Sequence, residues 1–291
     1  MHILVIGANS QLGKSLKSIT DQKNVIHSFV FASREQLDLS SIFEIEVFIK
    51  NGNFDLIINC AAYTNVDKAE TNEVQANLIN HLAVKKIAEV SQNNKVKLIH
   101  ISTDFVFNGV KNEPYNETDN ADPINIYGKS KYAGEQSIQS IMKTNAIIIR
   151  TSWLYSEYGN NFVNTILRLS KTNKTLNVVI DQIGSPTYAK DLGNVILSII
   201  NSKNYGLIDQ PTRIYHFSNE GTCSWFDFAT EIVKISGSKC LISPILSKDY
   251  DSRANRPKYA PLSSRRLIQS FGIDAISWKD SLIKCISNIE S

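Results

Sequence analysis

The sequence predicts a doubly wound, parallel α/β sheet followed by a smaller lobe. Three observations point to that fold. Short apolar runs alternate with longer helix-periodic segments through the first half of the chain. Several of those runs are apolar almost throughout, as strands covered on both faces must be. The first run also leads directly into a glycine-containing turn and a helical stripe, Gly7-Ala-Asn-Ser-Gln-Leu-Gly13.

Taken in order, strands are expected at Ile3–Ile6, Val25–Phe31, Leu56–Ile58, Val96–Ile101 and Ala146–Ile149. Helical spacing joins Leu12, Leu16 and Ile19, and again Leu78 and Leu82. Repeated strand–helix–strand units make successive strands parallel, the Rossmann arrangement. After about residue 150 the pattern loosens. Helices are expected near 160–172, 188–201, 224–236 and 277–288, between polar connectors such as "DQIGSPT" and "RANRPKYAPLSS". The organisation expected is a first domain over 1–150, to which later segments can return, and a lobe over 151–291.

Composition narrows the function classes. The 291 residues carry a net charge of +3, with 42% hydrophobic and 20% charged residues. There is no long run of lysines or arginines, which argues against nucleic acid as a partner. No apolar run approaches the roughly 18 residues that span a bilayer. The start, "MHILVIGANS", lacks the basic region and cleavage site of a signal peptide. Cys60, Cys223, Cys240 and Cys285 are scattered without CxxC spacing, and the five histidines form no HExxH. That suits a reducing compartment and argues against a disulfide framework or zinc site. A cytoplasmic protein with neither membrane nor nucleic-acid partner is expected.

The glycine turn points to a dinucleotide. Strand, turn and helix in that order place a pyrophosphate on a helix N-terminus. Gly7 allows a sharp exit from the strand and Gly13 lets the helix pack close, while Ser10 stands where G-x-x-G-x-x-G has its middle glycine. The second strand ends "FVFASREQLDLSS", with Ser33-Arg34 rather than an acid at its tip. An arginine there can pair with a ribose 2′-phosphate, so NADPH is favoured and NADH stays open. Asp38 can accept from an adenine amino group. Ala61 and Ala62, after the third strand, leave room for a flat ligand. Ser102, Thr103 and Asp104 share the rim at the end of the fourth strand.

The stretch "NIYGKSK" then sets Tyr127 four residues before Lys131, on one helix face. A nearby cation favours phenolate and would draw a phenol, ordinarily near ~10, towards working pH.

Together these residues resemble the extended short-chain dehydrogenase/reductases, and within them the dTDP-4-dehydrorhamnose reductase family. The resemblance covers nearly the whole chain. Its carriers are "GANSQLG", "NCAAYTNVDKAE", "ISTDFVF", "NIYGKSKYAGE", "IIIRTSWLY", "GNNF" and "VVIDQIGSPTYAKDL". It implies NADPH-dependent reduction of the 4-keto group of a dTDP-4-dehydro-6-deoxy sugar. By the same resemblance Tyr127 is the proton donor, Lys131 its partner and a holder of the nicotinamide ribose, and Thr103 the hydroxyl that polarises the carbonyl. Implied cofactor positions are Ser10, Gln11 and Leu12 at the phosphates, Asp38 and Leu39 at the adenosine, and Ala62, Tyr63 and Thr64 after the third strand. Implied substrate positions are Thr103, Asp104, Trp153, Gln182 and Arg256. The resemblance admits a homodimer and Mg²⁺ at a subunit contact, but no ligand cluster is visible in the sequence.

The chain departs from the family pattern at Ser10, at Phe105 where tyrosine is common, and at Ala260 where serine is common. The last helps to form the sugar pocket. Another nucleotide-linked 4-keto-6-deoxy sugar therefore stays open as substrate. So does a non-catalytic NADP(H)-binding regulatory subunit, although the presence of Thr103, Tyr127 and Lys131 favours an enzyme.

Overall fold

Five strands, β1 (His2–Ile6), β2 (Ser28–Ala32), β3 (Leu56–Asn59), β4 (Lys97–Thr103) and β5 (Ala146–Thr151), join an edge strand, Arg213–His216. They form one parallel sheet in the order edge strand–β5–β4–β3–β1–β2. The structure is a computed structural model and describes residues 1–22, 25–202, 205 and 211–290.

The all-apolar strands have the expected cause, since each face of the sheet is covered. Leu4, Ile6, Ile57, Leu98 and Ile148 pack under helices Ile42–Gly52, Ala83–Asn93 and Ile126–Ile141. Ile3, Val5, Leu56, Ile58, Ile99 and Ile149 face helices Gln11–Gln22 and Ala189–Asn201. Chain order reverses between β1 and β3, and the groove outside the carboxyl ends of strands at such a point is where open α/β sheets bind ligands.

Two local expectations need correction. The regular helical spacing expected at Leu78 and Leu82 is replaced by a π turn, Leu78–Leu82, between the helices Glu73–Asn77 and Ala83–Asn93. A π turn shifts the phase of the faces that follow it. Leu82 is left 41% exposed, while Ala76, Asn80, Ala83 and Ile87 turn inward. The edge strand was not anticipated either. "RIYH" is short and polar at both ends, yet Arg213 to His216 pair with Ile147 to Arg150 of β5.

Beyond residue 150 a second apolar cluster gathers Tyr155, Val163, Tyr188, Phe228, Trp278 and Leu282. It lies among helices Phe162–Ser170, Trp225–Ile235 and Trp278–Glu290, close to the ranges expected. Helix Ala189–Asn201 and the edge strand return to the first sheet instead. Among the described residues no helix is long and apolar enough to cross a membrane.

Candidate active site

Gly7 leaves β1 at φ +88°, and its N–H donates to the Ala32 carbonyl at 3.0 Å. A Cβ on Gly7 would lie 2.8 Å from the Ala61 nitrogen, and one on Gly13 would lie 2.3 Å from the Gly7 carbonyl oxygen. Both positions exclude a side chain for lack of room, and Gly7 also for its backbone angle. Ser10 caps the helix that follows. Its Oγ accepts from the Gly13 N–H at 3.0 Å and its carbonyl from the Lys14 N–H at 2.9 Å. The amides of Gln11 and Leu12 have no carbonyl within their own helix to bond, which is the condition for an anion site.

This turn borders a groove of about 780 Å³. Gly7, Ser10, Gln11, Leu12, Arg34, Asp38, Leu39, Ala61, Ala62, Tyr63 and Thr64 all line it. Gly13 packs behind the turn, and Ser102 is buried with its Oγ unpartnered among the described residues. Asn9, Asn72, Gln75, Leu154, Gly159 and Asn160 also line the groove and were not assigned from sequence. Gly159 and Asn160 belong to the "GNNF" motif, so the signal was present without a role attached to it. Gln11 draws that segment in, accepting from Ser156 Oγ and Asn161 Nδ2, each at 2.9 Å.

At one end of the groove Arg34 is exposed, with Nε 3.3 Å from Asp38 Oδ2. The Ser40 N–H, followed by the Ser40 hydroxyl and Arg34, holds the Asp38 carboxyl below its ordinary value.

Helix Ile126–Ile141 carries the tyrosine and lysine. Asn125 caps it, its Oδ1 accepting from the Gly128 N–H at 2.8 Å. Tyr127 is buried and meets Phe105 edge-on, ring centroids 5.6 Å apart. Its phenol is close enough to Thr103 and Asp104 for both to act on it. Thr103 in turn donates to Asp104 Oδ1 at 3.0 Å and accepts from the Phe105 N–H at 3.2 Å. The other Asp104 oxygen is buried and has no hydrogen-bond partner among the described residues, and burial lifts the carboxyl to about 7.

Burial pushes the Tyr127 phenol up to about 12, helped by Asp104 and opposed by Thr103. This corrects the expected downward pull from Lys131. Lys131 Nζ is turned to the β4 strand, donating to the Ile101 carbonyl at 2.6 Å and lying 3.2 Å from His100 Nε2. Burial brings Lys131 down to about 8, with Glu135 and Cys60 acting the other way.

The remaining predicted residues do not line this groove. Trp153 adopts φ +45° and stacks flat on Trp225, centroids 3.5 Å apart. Gln182 Nε2 donates to Ser247 Oγ at 2.9 Å. The Arg256 guanidinium donates to Asp67 Oδ2 at 2.7 Å and to Ser252 Oγ, tying its loop to the first domain. Among the described residues no group of three or more His, Cys, Asp or Glu could hold a metal.

Comparison with known proteins finds relatives over nearly the whole chain. The family model described as RmlD substrate binding domain matches residues 1–291. The spore coat polysaccharide biosynthesis protein SpsK of Bacillus subtilis is 38% identical over 280 residues, 96% of this chain and 95% of that one. The dTDP-4-dehydrorhamnose reductase of Aggregatibacter actinomycetemcomitans is 37% identical over 289 residues, 96% of each chain. The crystal structure of dTDP-4-dehydrorhamnose reductase from Bacillus anthracis in complex with NADP superposes with a TM-score of 0.91 at 38% identity, covering 99% of each chain.

A Rossmann-type sheet with a glycine turn, a groove at the switch point and a buried Tyr-x-x-x-Lys helix defines an NAD(P)H-dependent oxidoreductase. The chain belongs to the dTDP-4-dehydrorhamnose reductase family.

Proposed function

We propose that this chain reduces the 4-keto group of dTDP-4-dehydrorhamnose (dTDP-4-dehydro-6-deoxy-L-mannose) to dTDP-L-rhamnose with NADPH, Tyr127 giving the proton. One observation carries the reading. Tyr127, Thr103 and Asp104 are buried together at the carboxyl end of β4, with Thr103 donating to Asp104 and both acting on the Tyr127 phenol. Tyr63, which lines the groove, packs in the same cluster as Tyr127.

The residues present suit the cofactor. The Gln11 and Leu12 amides would receive the pyrophosphate, Arg34 a 2′-phosphate, and the Ala61–Ala62 strip the flat ring. NADPH, when bound, supplies the hydride. Tyr127 passes its proton to the carbonyl oxygen as C4 becomes an alcohol carbon. Its high pKa keeps the phenol protonated until an oxyanion develops beside it. Residues 151–291 would supply most of the sugar-nucleotide contacts, with Trp153 and Gln182 as the substrate-facing pair.

The test mixes protein, NADPH and a panel of nucleotide-linked 4-keto-6-deoxy sugars, following NADPH absorbance and identifying the product. Preferred turnover of dTDP-4-dehydrorhamnose supports the reading. Preference for another sugar of the panel would replace the substrate. Binding of NADPH without oxidation in any mixture would leave the non-catalytic reading.

A further inference from the structure

A line of buried polar groups runs from the groove to the lysine. The Ala61 N–H donates to Asn59 Oδ1 at 3.1 Å. Asn59 Nδ2 lies 3.1 Å from His100 Nδ1, and His100 Nε2 lies 3.2 Å from Lys131 Nζ. Asn59, His100 and Lys131 are 1%, 0% and 2% exposed, so their partners come from the protein itself.

Counting donors constrains their protonation. A neutral imidazole has one donor nitrogen and one acceptor, an amide NH₂ only donates, and an ammonium only donates. With the Asn59 NH₂ on Nδ1 and a charged Lys131 on Nε2, the imidazole would have to accept at both nitrogens. That is an imidazolate, far more basic than the amine beside it, and it would take the ammonium proton to give a neutral ring and a neutral Lys131. One assignment satisfies every contact as it stands. Asn59 donates to Nδ1, Nε2–H donates to a neutral Lys131 Nζ, and Nζ–H donates to the Ile101 carbonyl.

A charged Lys131 needs the other arrangement. Nε2 must then accept, the ring proton sits on Nδ1, and the Asn59 amide turns round so that its oxygen faces Nδ1. That rotation sets the Asn59 NH₂ against the Ala61 N–H, donor against donor, and releases that N–H. One proton is gained in total, by Lys131 from solvent. The ring proton only changes nitrogen.

We propose that His100 is a positioning residue for Lys131, coupling the lysine's charge to the Asn59 amide orientation and so to the Ala61 N–H at the groove. The other groups acting on this line do not supply the charge. Glu135 is already neutralised by Arg150, and burial keeps Cys60 a thiol. Burial also holds His100 well below its ordinary value, so the ring switches as a neutral species. The inference rests on the proposed reduction, in which Lys131 shares a helix with the proton donor Tyr127.

The experiment is ¹⁵N NMR of the free protein with labelled histidine, titrated through the Lys131 value of about 8. The His100 signals, assigned by their loss in His100→Gln, should show Nε2 protonated on the alkaline side and Nδ1 protonated on the acid side. In Lys131→Met the tautomer should stay fixed across the range. A fixed tautomer in the wild type, an imidazolium signal, or a switch that survives Lys131→Met would each overturn the proposal. The measurement needs no substrate. A switching tautomer in a protein that reduces no nucleotide sugar would count against the proposed function alone.

Discussion

Glu135 and Arg150 meet as a bidentate ion pair sealed from solvent, with Arg150 Nε 2.9 Å from Oε1 and Nη2 2.6 Å from Oε2. The pair fastens helix Ile126–Ile141, one turn beyond Lys131, to the end of β5. Arg150 also lies 5.1 Å over the Phe107 ring, which leaves little room for water to replace it. Removing one partner strands the other charge, a loss of about 3–5 kcal/mol, whereas removing both can be near neutral. Arg150→Met should therefore lose several kcal/mol in urea unfolding, and the Glu135→Leu/Arg150→Met double variant should regain most of it. Equal loss in the single and double variants would assign the cost to packing instead.

Tyr127→Phe removes only a hydroxyl from a buried ring that packs edge-on against Phe105, so the fold should hold. Turnover should fall roughly 10²–10⁴-fold while NADPH affinity, read by fluorescence titration, stays within a factor of about three. Unchanged turnover would remove Tyr127 from the proton path.

How far the sequence could be read depended on whether a feature was local. β1, its glycine turn and the Leu12, Leu16, Ile19 stripe are adjacent in the chain, and their pattern specified them. Strand β5 was found for the same reason, but its partner Arg213–His216 was not, because pairing rather than composition makes it a strand. The π turn at Leu78–Leu82 was hidden since Leu78 and Leu82 satisfy helical spacing by themselves. In the site, Gly7, Arg34, Ala61 and Ala62 were named from their places after strands, whereas Gln11, Leu12, Leu39, Tyr63 and Thr64, which also line the groove, came only from the family resemblance. His100 and Asn59 were not assigned, although each is a polar residue within an apolar strand that is buried on both faces. The direction of the Tyr127 shift was misjudged because helix spacing places Lys131 near it but does not show that Nζ turns to Ile101.

Arg34 offers a cationic side chain beside the groove with only Asp38 as its ion partner among the described residues. A hydrogen bond to a charged phosphate contributes about 1.5–3 kcal/mol. Arg34→Ala should therefore raise the KM for NADPH on the order of 10–100-fold and leave that for NADH nearly unchanged. An equal rise for both cofactors would mean that Arg34 shapes the groove without reading the 2′-phosphate.

Asp104 makes stability depend on pH in a direction opposite to that of most carboxylates. Burial raises its folded value from the ordinary 3.8 to about 7, and one oxygen has no partner among the described residues. Between those values the unfolded chain has lost the proton and the folded protein keeps it. The folded state binds more protons there, so the Asp104 contribution falls as pH rises and levels off above about 7. The slope approaches about 1.4 kcal/mol for each pH unit inside the window. Asp104→Asn cannot titrate and serves as the reference. The unfolding free energy of the wild type minus that of Asp104→Asn should decline from about pH 4 to pH 7 and be level on either side. A difference that instead rises with pH would show Asp104 held as a carboxylate in the folded protein, and the hydroxyl of Thr103 would then be stabilising a charge.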